Sequence, residues 1–175
     1  MAKRKKPARG STEQDKRLFT LEVSIIGGPV TEEFAKKTKV VSRTIQIRGD
    51  QTFEDLHYAI FDAFDREDEH MYEFQVGGKA PMDPKARRYT LESDIEMPFS
   101  GDEESAGDVV RTTIGSLGLE VGVAFGYWFD FGDDWWHEIS VVDIEEKAGR
   151  GKYPKITKHV GESPPQYPDW DEEEE

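Results

Sequence analysis

Two runs of alternating apolar and polar residues between Phe125 and Glu146 give the clearest structural signal in the chain. The first run places on one face Phe125, Tyr127, Phe129 and Phe131, and the second does the same with Trp135, His137, Ile139 and Val141. A loop of odd length, Gly132-Asp133-Asp134, keeps both apolar sets on the same face. It predicts the cross-strand pairs Phe131 with Trp135, Phe129 with His137 and Tyr127 with Ile139. We therefore expect an antiparallel hairpin with one aromatic face, on which the core is built.

Further strands are predicted on both sides of one well-defined helix. The strand segments are 18–26, 40–47, 70–76 and 89–95. Thr52 followed by Asp55 is typical of a helix N-cap with an acidic capping box, and the helix 52–64 carries an apolar stripe that includes His57. The chain after Gly149 contains four prolines and is predicted to be extended and irregular. This order predicts an α+β fold with a mostly antiparallel, roll-like sheet and one main helix packed on it.

Charge divides the chain into three parts. Residues 1–17 hold seven Lys/Arg and two acids and are expected to form a disordered basic arm, whereas residues 169–175 form a tail with six acids. With a total of −14, the domain between them, 18–168, carries −13. A body of that sign repels phosphate, so nucleic acid is expected only through the arm residues Lys3, Arg4, Lys5, Lys6 and Arg9. The simpler interpretation is that the disordered basic arm only keeps the protein soluble.

Composition narrows the class of protein further. The chain has no cysteine, which excludes disulfides, thiolate metal sites and a cysteine nucleophile. No apolar run approaches the ~20 residues of a membrane span, and the N-terminus lacks the apolar region of a signal peptide. We therefore expect a cytoplasmic protein with no membrane association and no cofactor.

Three histidines, His57, His70 and His137, each lie on the predicted apolar face of their element. If the helix covers that face of the sheet, they could converge into a three-imidazole metal site with Asp130 or Asp133 as a carboxylate. Their spacing matches no metal motif, however. The alternative is a polar network in the core, in which His137 bonds to backbone or to a tyrosine such as Tyr72 or Tyr127.

The second face of the hairpin carries a different group of residues: Trp128, Asp130, Trp136 and Glu138. Aromatic rings edged by acids suit a binding surface for a peptide or a basic partner. Alternatively, the proline-rich C-terminal segment, with Tyr167 or Trp170, covers these rings.

Several motifs resemble those of a known family. They are L-H-Y-A-I-F-D-A-F (56–64), H-M-Y-E-F (70–74) and F-D-F-G-D-D-W-W-H-E-I (129–139), with Tyr153-Pro154 and Ser163-Pro164-Pro165 near the C-terminus. Over about residues 18–168 the chain resembles the plasmid pRiA ORF-three-like proteins, also described as TnpR-type passenger proteins of mobile elements. The resemblance implies a compact α+β fold and no established activity. The family commonly has Glu-Asp after Pro-Pro, where this chain has Gln166-Tyr167-Pro168.

These observations favour a non-enzymatic binding or accessory protein that engages a protein or peptide partner through the side of Trp128 and Trp136. One alternative is a metal-dependent hydrolase that uses His57, His70 and His137. Another is a nucleic-acid accessory factor of mobile elements that acts through the basic arm.

Overall fold

The computed structural model describes residues 15–79, 83–91 and 107–170. Within these ranges the chain forms one eight-stranded sheet and two α-helices, α1 (Glu32–Lys37) and α2 (Phe53–Ala63), with a 3₁₀-helix at Ile114–Leu117. The strands are β1 (Leu18–Gly27), β2 (Ser42–Arg48), β3 (Tyr72–Val76), β4 (Arg87–Thr90), β5 (Gly107–Asp108), β6 (Ala124–Phe129), β7 (Trp135–Glu145) and β8 (Lys155–Val160). Most of the predicted basic arm and acidic tail lies outside the described residues.

The strand order in the sheet is β5-β4-β3-β6-β7-β1-β2-β8. Every neighbouring pair is antiparallel except β4 with β5. The mostly antiparallel α+β sheet expected from the sequence is therefore present, with the β6–β7 hairpin near its centre. In the described part of the chain, neither helix is long and apolar enough to span a membrane.

The β6–β7 hairpin has the predicted aromatic face but a different register. Phe129 pairs with Trp135, Tyr127 with His137 and Phe125 with Ile139, so the predicted pairs are wrong by two positions. The strand ends at Phe129 because Asp130 takes a positive φ of 63° and its carboxylate accepts hydrogen bonds from the N–H groups of the turn. The loop is lengthened by two residues, which preserves the parity, so the apolar side chains of the two strands still share one face. The prediction for Phe131 is wrong: this residue lies in the loop, and its ring packs against Trp128, whose side chain is on the other face.

Helix α2 begins at the predicted N-cap. Thr52 Oγ1 accepts a hydrogen bond from the N–H of Asp55, and the Asp55 carboxylate accepts one from the N–H of Thr52 at 2.9 Å. This reciprocal capping satisfies two N–H groups that the helix itself leaves without partners. The apolar stripe of α2 then packs against β3 and β6. The ring of Phe53 stacks on Phe74 at 4.3 Å, and complete burial of each such side chain stabilises the fold by about 1.5–3 kcal/mol.

The sequence predicted that the whole segment after Gly149 is irregular, but part of this segment forms a strand. Lys155–Val160 forms β8, the last strand of the sheet, antiparallel to β2. Most of its side chains are exposed, and a register irregularity near Thr44 interrupts its alternation. An edge strand of this kind buries little apolar surface, so its sequence lacks the period-two pattern by which strands are predicted.

Candidate functional site

The sheet has two faces, and the face opposite α2 carries a pair of stacked tryptophans. Trp128 of β6 and Trp136 of β7 are direct cross-strand partners, and their rings lie 4.8 Å apart at an interplanar angle of 12°. Phe131 continues the row, with its ring centroid 4.1 Å from that of Trp128. We call these three residues the aromatic ridge. Both tryptophans are half-buried, so they rest on the sheet and also present surface to solvent.

Two neighbours hold the aromatic ridge in place. The indole N–H of Trp128 donates a 2.9 Å hydrogen bond to Asp134 Oδ1 in the hairpin loop. On the other side, Gly27 of β1 lies opposite Trp136, and a Cβ at this position would lie 3.4 Å from Trp136 Cδ1. The hydrogen bond to Asp134 and the stacking of the two indoles restrict both rings, which reduces the side-chain freedom that is lost on binding.

A cleft lies beside the ridge and is bordered by Trp136. Gly126 lies in the lining of this cleft, between Gln75 and Glu138. Because Gly126 has no side chain, the sheet surface is open between these neighbours. Ile26 also lines the cleft and is 52% exposed, which adds an apolar wall to this ridge cleft.

Polar side chains on β3 and β4 hold the far wall of the ridge cleft. Gln75 Nε2 donates to Glu73 Oε2 at 2.6 Å, and the Arg88 guanidinium lies 3.0 Å from Glu73 Oε1. Glu73 and Gln75 are both buried. The polar side chains of this wall therefore already have partners and are fixed in position, as is typical of a binding surface that is formed before a ligand arrives.

Three of the four predicted partner-binding residues lie on this face of the sheet, and the fourth does not. Trp128, Trp136 and the exposed Glu138 lie on the ridge side. Asp130 does not, because its positive φ breaks the alternation. Its carboxylate instead caps the loop and lies 3.4 Å from His70 Nε2. Asp134, which bonds to Trp128, is the acid that the sequence argument missed, and the loop geometry explains why parity could not find it.

On the core side of the sheet, His57 is completely buried in a hydrogen-bonded chain. Its Nδ1 lies 2.6 Å from the Tyr127 hydroxyl, and its Nε2 lies 2.9 Å from Glu69 Oε1. Burial lowers the pKa of His57 to about 3, so the ring is neutral at pH 7. We assign the Nε2 proton to the bond with Glu69, which leaves Nδ1 to accept the proton of Tyr127. The contact with Glu69 is therefore a hydrogen bond to a neutral imidazole.

The order Glu69–His57–Tyr127 has the form of an acid–base relay. A relay needs a terminal hydroxyl that a substrate can reach, and Tyr127 is 2% exposed. Burial also raises the pKa of Tyr127 far above its usual range, so the hydroxyl keeps its proton. His57 further stacks on Tyr72 at 3.6 Å. The arrangement favours the predicted polar network of the core.

His137 lies on the other side of Tyr127 and belongs to the same network. Its Nδ1 donates to the backbone oxygen of Tyr127 at 3.2 Å, and burial, together with the nearby Arg66, lowers its pKa to about 3. Arg66 is itself buried, with Cζ 4.0 Å from the centroid of the Trp135 ring, and burial lowers its pKa to about 10. A neutral histidine beside this cation avoids a second buried charge.

The third histidine is separate from the other two. His70 precedes β3, where the sequence had placed it in the strand, and its side chain is 35% exposed. Its Nε2 lies 2.9 Å from the hydroxyl of Tyr167. In residues 15–79, 83–91 and 107–170, no group of three His, Cys, Asp or Glu side chains is arranged to hold a metal ion. The geometry therefore gives no support to a metal site made of His57, His70 and His137.

The C-terminal segment does not cover the tryptophans in the way the sequence suggested. Tyr167 contacts His70, and Trp170 is 51% exposed. Gln166 is 4% exposed and closes the turn after α2. Its Oε1 accepts from the N–H groups of Glu67 and Asp68, and its Nε2 donates to the Asp68 carbonyl at 2.9 Å. Gln166 thus has a structural role.

Comparisons with known proteins agree with this fold and leave the activity open. A solved structure, a protein of unknown function from Methanosarcina mazei Go1, is similar with a TM-score of 0.64 and 23% identity. The similarity covers 88% of this chain and 75% of that one, and at this identity it establishes the fold alone. No curated protein matches the chain. Residues 32–167, well over half of the sequence, match the family described as Plasmid pRiA4b ORF-3-like protein, and the chain belongs to that family.

Proposed function

We propose that this protein is a cytoplasmic, non-enzymatic binding or accessory protein, and that it engages a protein or peptide partner through the aromatic ridge and the ridge cleft. The partner segment would carry an apolar side chain next to Lys or Arg. The observation that carries the proposal is the pair of half-buried, stacked tryptophans, Trp128 and Trp136, on the sheet face opposite α2.

Aromatic residues at such positions are suited to binding. Tryptophan is enriched among the few residues that dominate the energy of protein interfaces, and such residues lie in fixed, well-packed surroundings. The Trp128 indole is already held by Asp134, and Trp136 by Trp128 and Gly27. A partner would bury the outer surface of a preformed ridge, which reduces the entropic cost of association.

Shape and charge support the class of partner. The ridge cleft can accept an apolar side chain between Ile26, Gly126 and Trp136. Glu138 and Lys79 are both exposed at its border, and Asp133 and Asp134 are exposed beyond the ridge, so the acids outnumber the one lysine. The net charge of −14 also steers basic partners toward the molecule. A cation next to the apolar anchor would meet these carboxylates.

Selection from a random peptide library displayed against the full-length protein tests the proposal. We expect enriched peptides to carry Lys or Arg beside an apolar residue. Trp136→Ala should weaken the binding of those peptides at least tenfold, whereas the matched change Trp170→Ala, at an exposed tryptophan that is not part of the ridge, should not. Glu138→Lys reverses an exposed charge without disturbing the fold and should also weaken binding.

Two results would refute the proposal. In one, the enriched peptides bind Trp136→Ala and Glu138→Lys as tightly as the native protein. In the other, they lack basic residues.

A further inference from the structure

A second surface, at the far edge of the sheet, has the opposite charge. The fifteen residues 147–161 contain five Lys or Arg and no acid, in a chain whose net charge is −14. The cations are Lys147, Arg150, Lys152, Lys155 and Lys158. The first three lie in the loop between β7 and β8, and the last two lie in β8. We call this set the basic edge.

Every cation of the basic edge is exposed, and none forms an ion pair with a described residue. His159 adds an exposed imidazole to the same strand. Acids bracket the segment in sequence at Glu145, Glu146 and Glu162, but none falls within it. Five cations left to water over one short segment form a strongly positive surface on an otherwise acidic molecule.

The position of the segment adds a second observation. β8 is the last strand of the sheet and pairs with β2, so in the described chain its other edge has no strand partner. Lysines on such an edge discourage pairing with other strands, which accounts for Lys155 and Lys158. It does not account for the three cations of the loop, which lie outside any strand.

The chain enters the domain at the same place. The backbone N–H of Ala148 donates a 2.7 Å hydrogen bond to the carbonyl of Lys16, so the point from which the basic arm departs lies against the loop of the basic edge. The arm contributes Lys3, Arg4, Lys5, Lys6 and Arg9 from its sequence. Lys16, the last lysine of the arm, thus lies beside the loop of the basic edge.

We propose that the basic edge binds the phosphate backbone of a nucleic acid. The chemistry favours phosphate over an acidic protein. Protein interfaces are centred on aromatic and apolar anchors, whereas the loop of the basic edge contains two glycines, Gly149 and Gly151, among its cations. Exposed Lys and Arg suit a uniform line of charge, which they can contact without reading sequence.

This surface is distinct from the aromatic ridge. β8 is three strands away from β7, roughly 14 Å across the sheet. The two proposals therefore stand or fall separately, because changes at Trp136 leave the basic edge intact.

Binding of the full-length protein to a fluorescent DNA duplex, measured over a series of salt concentrations, tests the inference. Each phosphate contact contributes about −0.9 to the slope of log K against log salt. We expect Lys155→Gln with Lys158→Gln, and separately Arg150→Gln with Lys152→Gln, to reduce the steepness of that slope by about 2 for each pair. The matched control is Lys85→Gln with Arg87→Gln, which removes equal charge beside and in β4 near the opposite edge of the sheet and should leave the slope unchanged.

Three results would overturn the inference. The first is no binding at low salt. The second is binding that is lost when the five arm cations are changed to Gln but is unaffected by both edge pairs, since the arm would then act alone. The third is tighter retention on polyglutamate or on phosphatidylserine vesicles than on the duplex, since the surface would then recognise a different anion.

Discussion

The imidazole Nδ1 of His57 lies 2.6 Å from the hydroxyl oxygen of Tyr127, inside the core and between α2 and β6. This contact joins the main helix to the central hairpin, and it satisfies two polar groups that would otherwise be buried without partners. Its removal leaves the imidazole nitrogen without a donor, which costs about 1–3 kcal/mol in a buried site.

Tyr127→Phe should therefore lower the free energy of unfolding by about 1–3 kcal/mol. Tyr58→Phe, at a 50% exposed tyrosine of the same helix, is the matched control and should change it by less than about 0.5 kcal/mol. Urea unfolding followed by fluorescence measures both. If both variants lose the same free energy of unfolding, the contact with His57 contributes no more to stability than a surface hydroxyl does.

Acid should destabilise the protein over a defined range. In the folded state the pKa values of His57 and His137 are lowered to about 3 by burial, while the unfolded chain titrates near 6.5. Between these values the unfolded state binds more protons, so this stabilisation is complete above pH 6.5 and declines as the pH falls toward 3. Each histidine contributes a slope approaching about 1.4 kcal/mol per pH unit.

Urea unfolding at a series of pH values measures this slope. His137→Gln should make it shallower, whereas His159→Gln, at an exposed histidine, should leave it unchanged. A slope that is the same in all three proteins would rule out His137 as a source of the acid sensitivity.

Gly28 should not tolerate a side chain. A Cβ there would lie 2.3 Å from Trp135 Cε3, and the residue has a φ of 152°. Gly28→Ala should cost about 3 kcal/mol or more, because overpacking and backbone strain add. Gly118→Ala is the control: its φ of 71° is also unfavourable for alanine, but no atom lies within 4 Å of the new Cβ, so only the strain remains. Thermal unfolding of the two variants compares them, and similar losses would contradict the packing argument.

Gln166→Ala should lower the free energy of unfolding by about 1–3 kcal/mol. The change removes three hydrogen bonds between the buried Gln166 side chain and the turn after α2. Glu162→Ala, at an exposed residue of the same segment, should be nearly neutral. Limited proteolysis offers a second measurement, since the C-terminal segment should be cut faster in Gln166→Ala. An unchanged cleavage rate would mean that Ser163 and Arg66 suffice to hold the segment.

Local chemistry explains what the sequence could predict. The N-cap at Thr52 and the shared face of Tyr127, Phe129 and Trp135 follow from hydrogen bonds and periodicities a few residues long. The hairpin register depended instead on how the Asp130 side chain folds back on its own loop, a choice that alternation alone does not encode. The contact of Gln166 with Asp68 spans 98 residues and has no local signal.

The five cations of the basic edge are visible in the sequence, but the net charge of the whole domain hides them. The net charge of residues 18–168 is −13, and the many acids of that range conceal the acid-free stretch 147–161. Only the position of β8 at the end of the sheet, with Ala148 bonded to Lys16, shows that these cations lie beside the attachment point of the arm.

The geometry of the aromatic ridge has an optical consequence. Two indole rings 4.8 Å apart and 12° from parallel couple their electronic transitions, which gives a paired positive and negative signal in circular dichroism. That couplet depends on the relative orientation of the rings, so any molecule that settles on them and tilts one alters its shape. The protein therefore carries its own spectroscopic reporter at the surface where we expect a partner, and no label is needed to follow the encounter.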